Sequence, residues 1–337
     1  MKDLAREVGL SVSVVSRVLG GKGDDFRISE QSQQRVRATA AKHGFSVNQL
    51  ARSLRLQQTK TIGLLIPDIS NSFFSLIART VEKTARRRGY AIILCDTEDD
   101  ETIEQEALSL LVDRAVDGLL VSPIGKGSDH IRALYERNVP LVLVDRFFDD
   151  LPIPYVTANN EKGAYDGTIH LITHGHRRIG FLQGIPDSKP NVERLRGYRR
   201  ALADHALPFD PSWVRGSKFE EADGYDSAQA LLKQTARPTA LFASSSLGAL
   251  GAMRACLDRG LSVPDDVSLI GFDEYPYARL LAPPLTTIAQ PAQAIAEMAS
   301  GLLMDWLETG NAPAMGVNVL DTNLVLRDSV KPPANDH

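Results

Sequence analysis

Only two of the 337 residues are cysteine, Cys95 and Cys256, and they are not spaced as a CxxC pair. That excludes a disulfide scaffold and a cysteine-ligated zinc site, and both thiols are expected buried in a reducing compartment. No apolar run reaches the roughly 18 residues a membrane-crossing helix needs, and no secretory signal pattern opens the chain. A cytoplasmic protein without membrane contact is expected. The sequence also lacks a GxGxxG turn, a Walker phosphate loop and a GxSxG elbow; Gly125-Lys126-Gly127 is missing the leading spacing of a phosphate loop. With no nucleophile–base set visible, neither an enzyme nor a cofactor is expected. His170, His174 and His176 crowd together, but no cysteine or paired acid joins them, so no metal site is expected there.

Net charge is small overall, with 38 Lys and Arg against 42 Asp and Glu. The near balance conceals a split. Residues 1–60 carry eleven basic and five acidic side chains, a net of +6, which leaves a net of −10 for the remainder. A basic head on an acidic body fits phosphate binding confined to one end.

That head has a recognisable pattern. Leu4, Ala5 and Val8 fall on one apolar stripe of a short helix. Gly9 permits a tight turn. Ser11 suits the N-cap of a second helix, whose inner face is Val15, Val18 and Leu19. Two short helices joined this way make a helix-turn-helix. Its second helix enters the major groove, with its early residues on base edges. Here those are Val12, Ser13 and Val14, with Arg17 one turn on. Arg17 can pair bidentately with guanine O6 and N7, Val12 can touch a thymine methyl, and Ser13 carries little discrimination. A third helix is expected from Ser29 to about His43, with Gly44 just beyond it. Asn48 then caps a short helix with Leu50 and Leu54 on one face. So short a helix does not hold in water alone, so it is expected to order against a symmetry mate or on DNA. Leu54 is a candidate wedge between base steps of the minor groove.

Beyond Arg55 the pattern becomes an alternation of strand and helix. Apolar runs at 62–66, 90–95, 118–122, 141–145, 179–183, 240–243 and 267–272 read as strands. Helical stretches fall at 73–89, 101–114, 131–137, 161–174, 191–206, 223–235, 246–259 and 292–308, with two further short strands after Ile288. Continuous apolar strands separated by helices imply parallel sheets covered on both faces. Arg86-Arg87-Arg88 reads as a solvated helix end, and Asp96 to Glu101 as an acidic turn at a helix start.

Together these residues resemble the LacI/GalR family of bacterial transcription regulators. The resemblance runs through Lys2 to Ala5, Val12 to Leu19, Asn48 to Arg55, Thr59 to Asn71, Val116-Asp117-Gly118, Gly175 to Ile179, Arg194 to Tyr198, Pro264 to Asp273 and Pro284 to Ile288, in that order. It implies an α/β fold: a helix-turn-helix head plus two doubly wound, parallel-sheet lobes like those of periplasmic binding proteins. The expected organisation is a head at 1–45, a hinge helix and linker at 46–59, a first lobe of 60–160 plus 289–320, a second of 161–288 plus 321–330, and a loose tail at 331–337. By the same resemblance Val12, Ser13 and Arg17 match base-reading positions, Leu54 matches an intercalating leucine, and Asn48, Ala51 and Arg55 join it at the DNA.

Four departures stand out. The stretch from Gly20 to Ile28 is a few residues longer than in many members and resembles the fructose-repressor branch. Val47 stands where a proline usually precedes the hinge helix. Ser244-Ser245-Ser246 replaces an Ala-Asn-Asp. The chain opens at Met1-Lys2 without the residues that normally cap the first helix, so the natural start is expected upstream, or the first turn frays.

In open α/β sheets, ligands lie beyond the carboxyl ends of the strands. That rule selects Ser70, Phe73, Ser122, Asp145, Arg146, Arg194, Ser245 and Asp273 as effector-binding candidates, to which Phe219 and Gln290 are added. Asp145 and Asp273 can accept from sugar hydroxyls, Arg194 can fork onto two oxygens, and Phe73 and Phe219 can stack on a sugar's apolar face. By resemblance, Arg194, Asp273 and Phe219 match recurrent effector contacts. Ser245 and Ser246, in place of an amide and an acid, lighten the negative charge expected there, which favours a sugar phosphate or sugar acid over a neutral sugar.

The function implied is a sequence-specific DNA-binding transcriptional repressor, a homodimer or tetramer on a pseudo-palindromic duplex operator. A sugar-type effector between the lobes would shift its conformational balance. No leucine heptads follow Leu326, which favours a dimer. A transporter's solute-binding protein is disfavoured by the basic head and missing export signal. A sugar-processing enzyme on the same fold is disfavoured by the missing nucleophile and phosphate loop.

Overall fold

Three helices open the chain: α1 (Lys2–Val8), α2 (Val12–Leu19) and α3 (Glu30–Lys42). The structure is a computed structural model, and it describes residues 1–43, 58–125, 127–314 and 317–333. The chain divides into two compact units, Met1–Lys60 and Thr61–His337. In the first, Leu4, Ala5, Val8, Val15, Val18, Val36 and Ala40 close a small apolar core among the three helices. Gly9 takes a left-handed backbone (φ 66°), which lets the chain turn between α1 and α2. Ser11 Oγ accepts from the backbone N–H of Val14 and starts α2. Ser29 starts α3 in the same way through Ser32. That helix ends at Lys42, one residue short of the expected His43, which is its C-cap. Met1 offers α1 no side-chain cap. The hinge residues Asn48, Ala51, Leu54 and Arg55 lie outside the described residues.

The second unit holds two six-stranded sheets. The first contains β1 (Thr61–Ile66), β2 (Ala91–Asp96), β3 (Gly118–Val121), β4 (Leu141–Val144), β5 (Tyr155–Ala158) and β11 (Val317–Leu320), in the order β11-β5-β4-β3-β1-β2. The second contains β6 (Ile179–Leu182), β7 (Val214–Arg215), β8 (Ala240–Ala243), β9 (Ser268–Phe272), β10 (Thr286–Ala289) and β12 (Asn323–Val325), in the order β12-β10-β9-β8-β6-β7. The two orders correspond strand for strand. Every pairing is parallel except β10 with β12, which is antiparallel. Strands β3, β4 and β8 are buried along their whole length, because helices cover both faces of each sheet. On the first sheet, α4 (Ser72–Arg87) and α11 (Ala292–Thr309) pack on one face, and α5 (Glu101–Asp113) and α6 (Asp129–Glu136) on the other. On the second, α7 (Asn160–Thr173) and α8 (Lys189–Asp204) oppose α9 (Glu221–Leu232) and α10 (Ser246–Asp258).

The chain crosses between the sheets three times, after β5, after β10 and after β11. Sequence periodicity found none of β5, β7 and β10, which are only two to four residues long. The tail expected to be loose from residue 331 is held further than that. His176 Nε2 donates to the carbonyl of Lys331 (2.9 Å), and the backbone N–H of Lys331 donates to Ser268 Oγ (3.1 Å). Cys256 is buried, and burial pushes its thiol up to about 11. Cys95 is only half-buried, because β2 is an edge strand. No helix among the described residues is long and apolar enough to cross a membrane.

Helix pairs α7–α8 and α9–α10 approach through glycine. A Cβ on Gly197 would overlap the carbonyl oxygen of Glu161, and one on Gly251 that of Glu221. Arg200 then reaches Glu161, and Arg254 reaches Glu221, across the same two contacts. A Cβ on Gly301, by contrast, meets nothing within 4 Å. Gly251→Ala is therefore expected to lower unfolding stability by about 1–3 kcal/mol through overpacking. Gly301→Ala should raise it by up to about 1 kcal/mol through helix propensity. Urea unfolding of both variants checks this, and equal effects of the two substitutions would contradict the packing.

Candidate functional site

The carboxyl ends of the two sheets face one cavity of about 440 Å³, part of it open to solvent. Asp145 follows β4 and Asp273 follows β9, the corresponding strands of the two sheets. Both have left-handed backbones, with φ of 65° and 75°. Each backbone N–H still bonds the neighbouring strand, Asp145 to Val156 O (2.8 Å) and Asp273 to Ile288 O (2.9 Å). A short polar side chain tolerates this conformation better than a bulky one.

Arg194, on α8, is 4% exposed and fixed on several sides. Its Nε donates to Asn160 Oδ1 (2.8 Å), its Nη1 to Ser244 O (2.7 Å), and its plane lies 3.8 Å from the Phe272 ring centre. Asn160 sits at one sheet-to-sheet crossover and Gln290 at another; Gln290 Nε2 donates to Asp273 Oδ1 (2.6 Å). Arg146 Nη1 meets Asp99 Oδ1 at 2.7 Å. Phe73 and Phe74 meet edge to face, 5.1 Å apart, and Phe219 faces both guanidiniums, 5.7 Å from Arg146 and 6.0 Å from Arg194.

Several polar atoms here are left over. Asp145 Oδ1, Arg146 Nε and Gln290 Oε1 are buried without a hydrogen-bond partner among the described residues. Such groups are costly unless something satisfies them. Burial raises the Asp145 carboxyl to about 6, against the opposing pull of Arg194 and Arg146. Burial also lowers the Arg194 guanidinium, opposed by Asp273 and Asp145.

Of the expected residues, the cavity wall brings together Phe73, Asp145, Arg146, Arg194, Phe219, Ser245, Asp273 and Gln290. Ser70 does not line it: it is exposed, and its hydroxyl donates to Asp68 Oδ1 (2.6 Å). Ser122 does not either, being buried just past β3. Asp68, Asn71, Phe74, Asp99 and Pro190 complete the wall; the first three and Pro190 lie in strand-end loops but were not singled out, and Asp99 lies outside those loops. Asn71 caps α4 by accepting from Phe73 N–H (3.0 Å). Asp99 belongs to the stretch read as an acidic helix start; only the fold carries it to Arg146. Ser245 is occupied as the cap of α10, accepting from Gly248 N–H. The charge lost at the serine run is offset, since Asp68 and Asp99 join Asp145 and Asp273 against two arginines. Lys189 of α8 reaches Asp149, which follows β4, at 2.7 Å, and so ties the two lobes beside the cavity.

In the head, Val12, Ser13 and Arg17 are exposed on α2, while Val15 and Val18 point inward. The Ser13 hydroxyl is engaged with Ser11 Oγ (2.8 Å). Arg17 lies over the Phe26 ring, 3.9 Å from its centre.

The raised Asp145 carboxyl has a signed consequence. The folded chain holds that proton more tightly than the unfolded chain does. Stability contributed there is present below about pH 4 and is lost as pH rises to about 6, by on the order of 3 kcal/mol. Asp145→Asn abolishes the change. The stability difference between variant and wild type, measured by thermal unfolding, should therefore grow in the variant's favour from pH 4.5 to 7 and then level off. A difference independent of pH would refute it.

Comparison with known proteins agrees with both parts of the chain. Residues 1–48 match the model of bacterial regulatory proteins of the lacI family, and residues 168–330 match that of the periplasmic binding protein-like domain. The chain is 34% identical over 332 residues to the ribose operon repressor of Haemophilus influenzae, covering 98% of each. It is similar to the lac repressor dimer bound to operator and an anti-inducer, with 26% identity, a TM-score of 0.87 and 98% of each chain covered. A LacI family regulator from Enterococcus faecium with bound ribose gives 28% identity and a TM-score of 0.74, covering 81% of this chain and 99% of that one. With a basic helix-turn-helix head, two corresponding sheets around one polar cavity and full-length relatives of this kind, the chain belongs to the LacI family of bacterial transcription regulators.

Proposed function

We propose that this chain is a cytoplasmic transcriptional repressor that binds a pseudo-palindromic operator as a homodimer and responds to a neutral, sugar-sized ring bearing several hydroxyls. One observation carries the effector class: the cavity wall holds buried acceptors, Asp145 Oδ1 and Gln290 Oε1, beside a donor, Arg146 Nε, none of them partnered among the described residues. A hydroxyl can donate to the first two and accept from the third. A phosphate or carboxylate can only accept, and would meet Asp68, Asp99, Asp145 and Asp273. Phe73, Phe74 and Phe219 give the apolar face of a ring a surface to cover. The ribose named for two of the relatives fits this class.

In the head, Val12, Ser13 and Arg17 would face base edges in the major groove, with Asn48, Ala51, Leu54 and Arg55 at the minor groove. The effector acts by its differential affinity for two lobe arrangements, and so biases whether the paired heads hold DNA. Lys189 and Asp149, joined across the lobes, are among the contacts such a change would remake.

Differential scanning fluorimetry against free pentoses and hexoses, their phosphates and the corresponding acids tests the pocket. A neutral sugar at about a hundred times its Kd should stabilise the chain by about 2–3 kcal/mol. Arg194→Lys, which keeps charge but loses the fork, should remove most of that. Stabilisation by the phosphates alone would overturn the effector class. Gel-shift titration with salt tests the head: affinity for duplex DNA should fall steeply, by orders of magnitude between about 50 and 200 mM. Weak binding insensitive to salt would contradict it.

A further inference from the structure

The lengthened connection between α2 and α3 carries a side chain without a packing role. Phe26 is 49% exposed and takes no part in the small core of the head. Among the described residues its ring meets the guanidinium of Arg17, 3.9 Å above the ring centre. No hydrogen bond or ion pair to the Arg17 guanidinium is present among the described residues. A large exposed aromatic is otherwise a liability on a small basic unit, so its placement under one arginine calls for a reason.

The connection is built to hold the ring there. Lys22 N–H donates to Arg17 O (2.9 Å), Arg27 N–H to Asp24 O (2.9 Å) and Ile28 N–H to Gly23 O (2.9 Å). Arg27 takes a left-handed backbone, φ 51°. Gln33 of α3 is 4% exposed, and its Nε2 donates to both Asp24 Oδ1 (2.8 Å) and Ile28 O (2.9 Å). A Cβ on Gly23 would overlap the Gln33 side chain, so the turn lies directly against it. The loop is therefore pinned at both ends, with Phe26 between the pins.

We propose that Phe26 is a positioning residue for operator recognition: its ring braces Arg17 so that the guanidinium edge is presented to a guanine. The inference rests on Arg17 being a base reader. The geometry of the group makes both contacts compatible. All five N–H donors of a guanidinium lie in its plane, while stacking uses its face. An arginine free in solution samples many rotamers, and ordering it on DNA costs side-chain entropy. A ring beneath it removes part of that cost before DNA arrives. The brace also adds an attraction between cation and ring, modest at an exposed site.

The test uses the full chain and duplexes selected by it from a randomised palindromic library. Dissociation constants are measured by fluorescence anisotropy for the selected site and for its single base-pair variants, at several salt concentrations. Arg17→Ala should lose discrimination at one base pair of each half-site by at least about fivefold. Phe26→Ala and Phe26→Leu should lose about two- to fivefold at that same pair, with unchanged discrimination elsewhere and an unchanged salt slope. Phe26→Tyr and Phe26→Trp, which keep a π face, should restore it. Phe26→Leu keeps an apolar group of similar size, so a defect it shares with Phe26→Ala is not a folding defect; circular dichroism of the head signal confirms that. If Phe26 variants keep full discrimination where Arg17→Ala loses it, the brace is refuted while Arg17 stands as a base reader. If they weaken every duplex equally, Phe26 contacts the backbone instead and the brace is refuted. If Arg17→Ala changes no base preference, the reading of Arg17 itself fails, and the proposal with it.

Discussion

A buried guanidinium within electrostatic reach of two buried carboxylates is the constraint on which the body of this protein depends. Arg194, Asp145 and Asp273 are each at most 5% exposed, in an interior where an isolated charge is very costly. Each comes from a different element: a helix of the second lobe, the end of a first-lobe strand and the end of a second-lobe strand. The cluster is tolerable only when the two sheets present their carboxyl ends to one another. Asn160 and Gln290, on two of the crossovers, hydrogen-bond into it. The charge cluster thus couples the lobe arrangement to whatever occupies the cavity. Buried charges of this kind add little net stability, but removing one partner is strongly destabilising because it leaves the other charge uncompensated.

That coupling gives the molecule its regulatory logic. The polar atoms of the wall that lack partners among the described residues are costly unless something satisfies them. A hydroxylated ring that supplies those partners favours the arrangement in which they converge. The basic head, by contrast, is held by only a small apolar core and makes its living from phosphate attraction, which is non-directional and salt-sensitive. Specificity must then come from a few side chains whose geometry is fixed in advance. Arg17 over Phe26 is one place where the fold of the head fixes it.

Much of this was legible from the residues. The head's three helices, the Ser11 and Ser29 caps and the Gly9 turn follow from local chemistry, because each involves neighbours in sequence. The long apolar strands and most helices were placed to within a few residues for the same reason. Eight of the ten cavity candidates converge, six of them from loops that the strand-end rule for open sheets selects, because that rule is geometric and general. What escaped was long-range. Asp99 pairs with Arg146 across a separation that no local pattern encodes, and the docking of Lys331 depends on His176, far back in the chain. Short strands such as β7 carry too few residues to show a period. Ser70 stays off the cavity wall, its hydroxyl captured locally by Asp68.

The most direct measurement of the central claim is thermodynamic reciprocity between cavity and head. The dissociation constant of the stabilising sugar is measured calorimetrically for the full chain, free and saturated with its selected operator duplex. The operator's dissociation constant is measured with and without saturating sugar. Linkage requires the two ratios to be equal and different from one, and Arg194→Lys should bring both towards one. A sugar that binds with the same affinity whether or not operator is present would contradict the account.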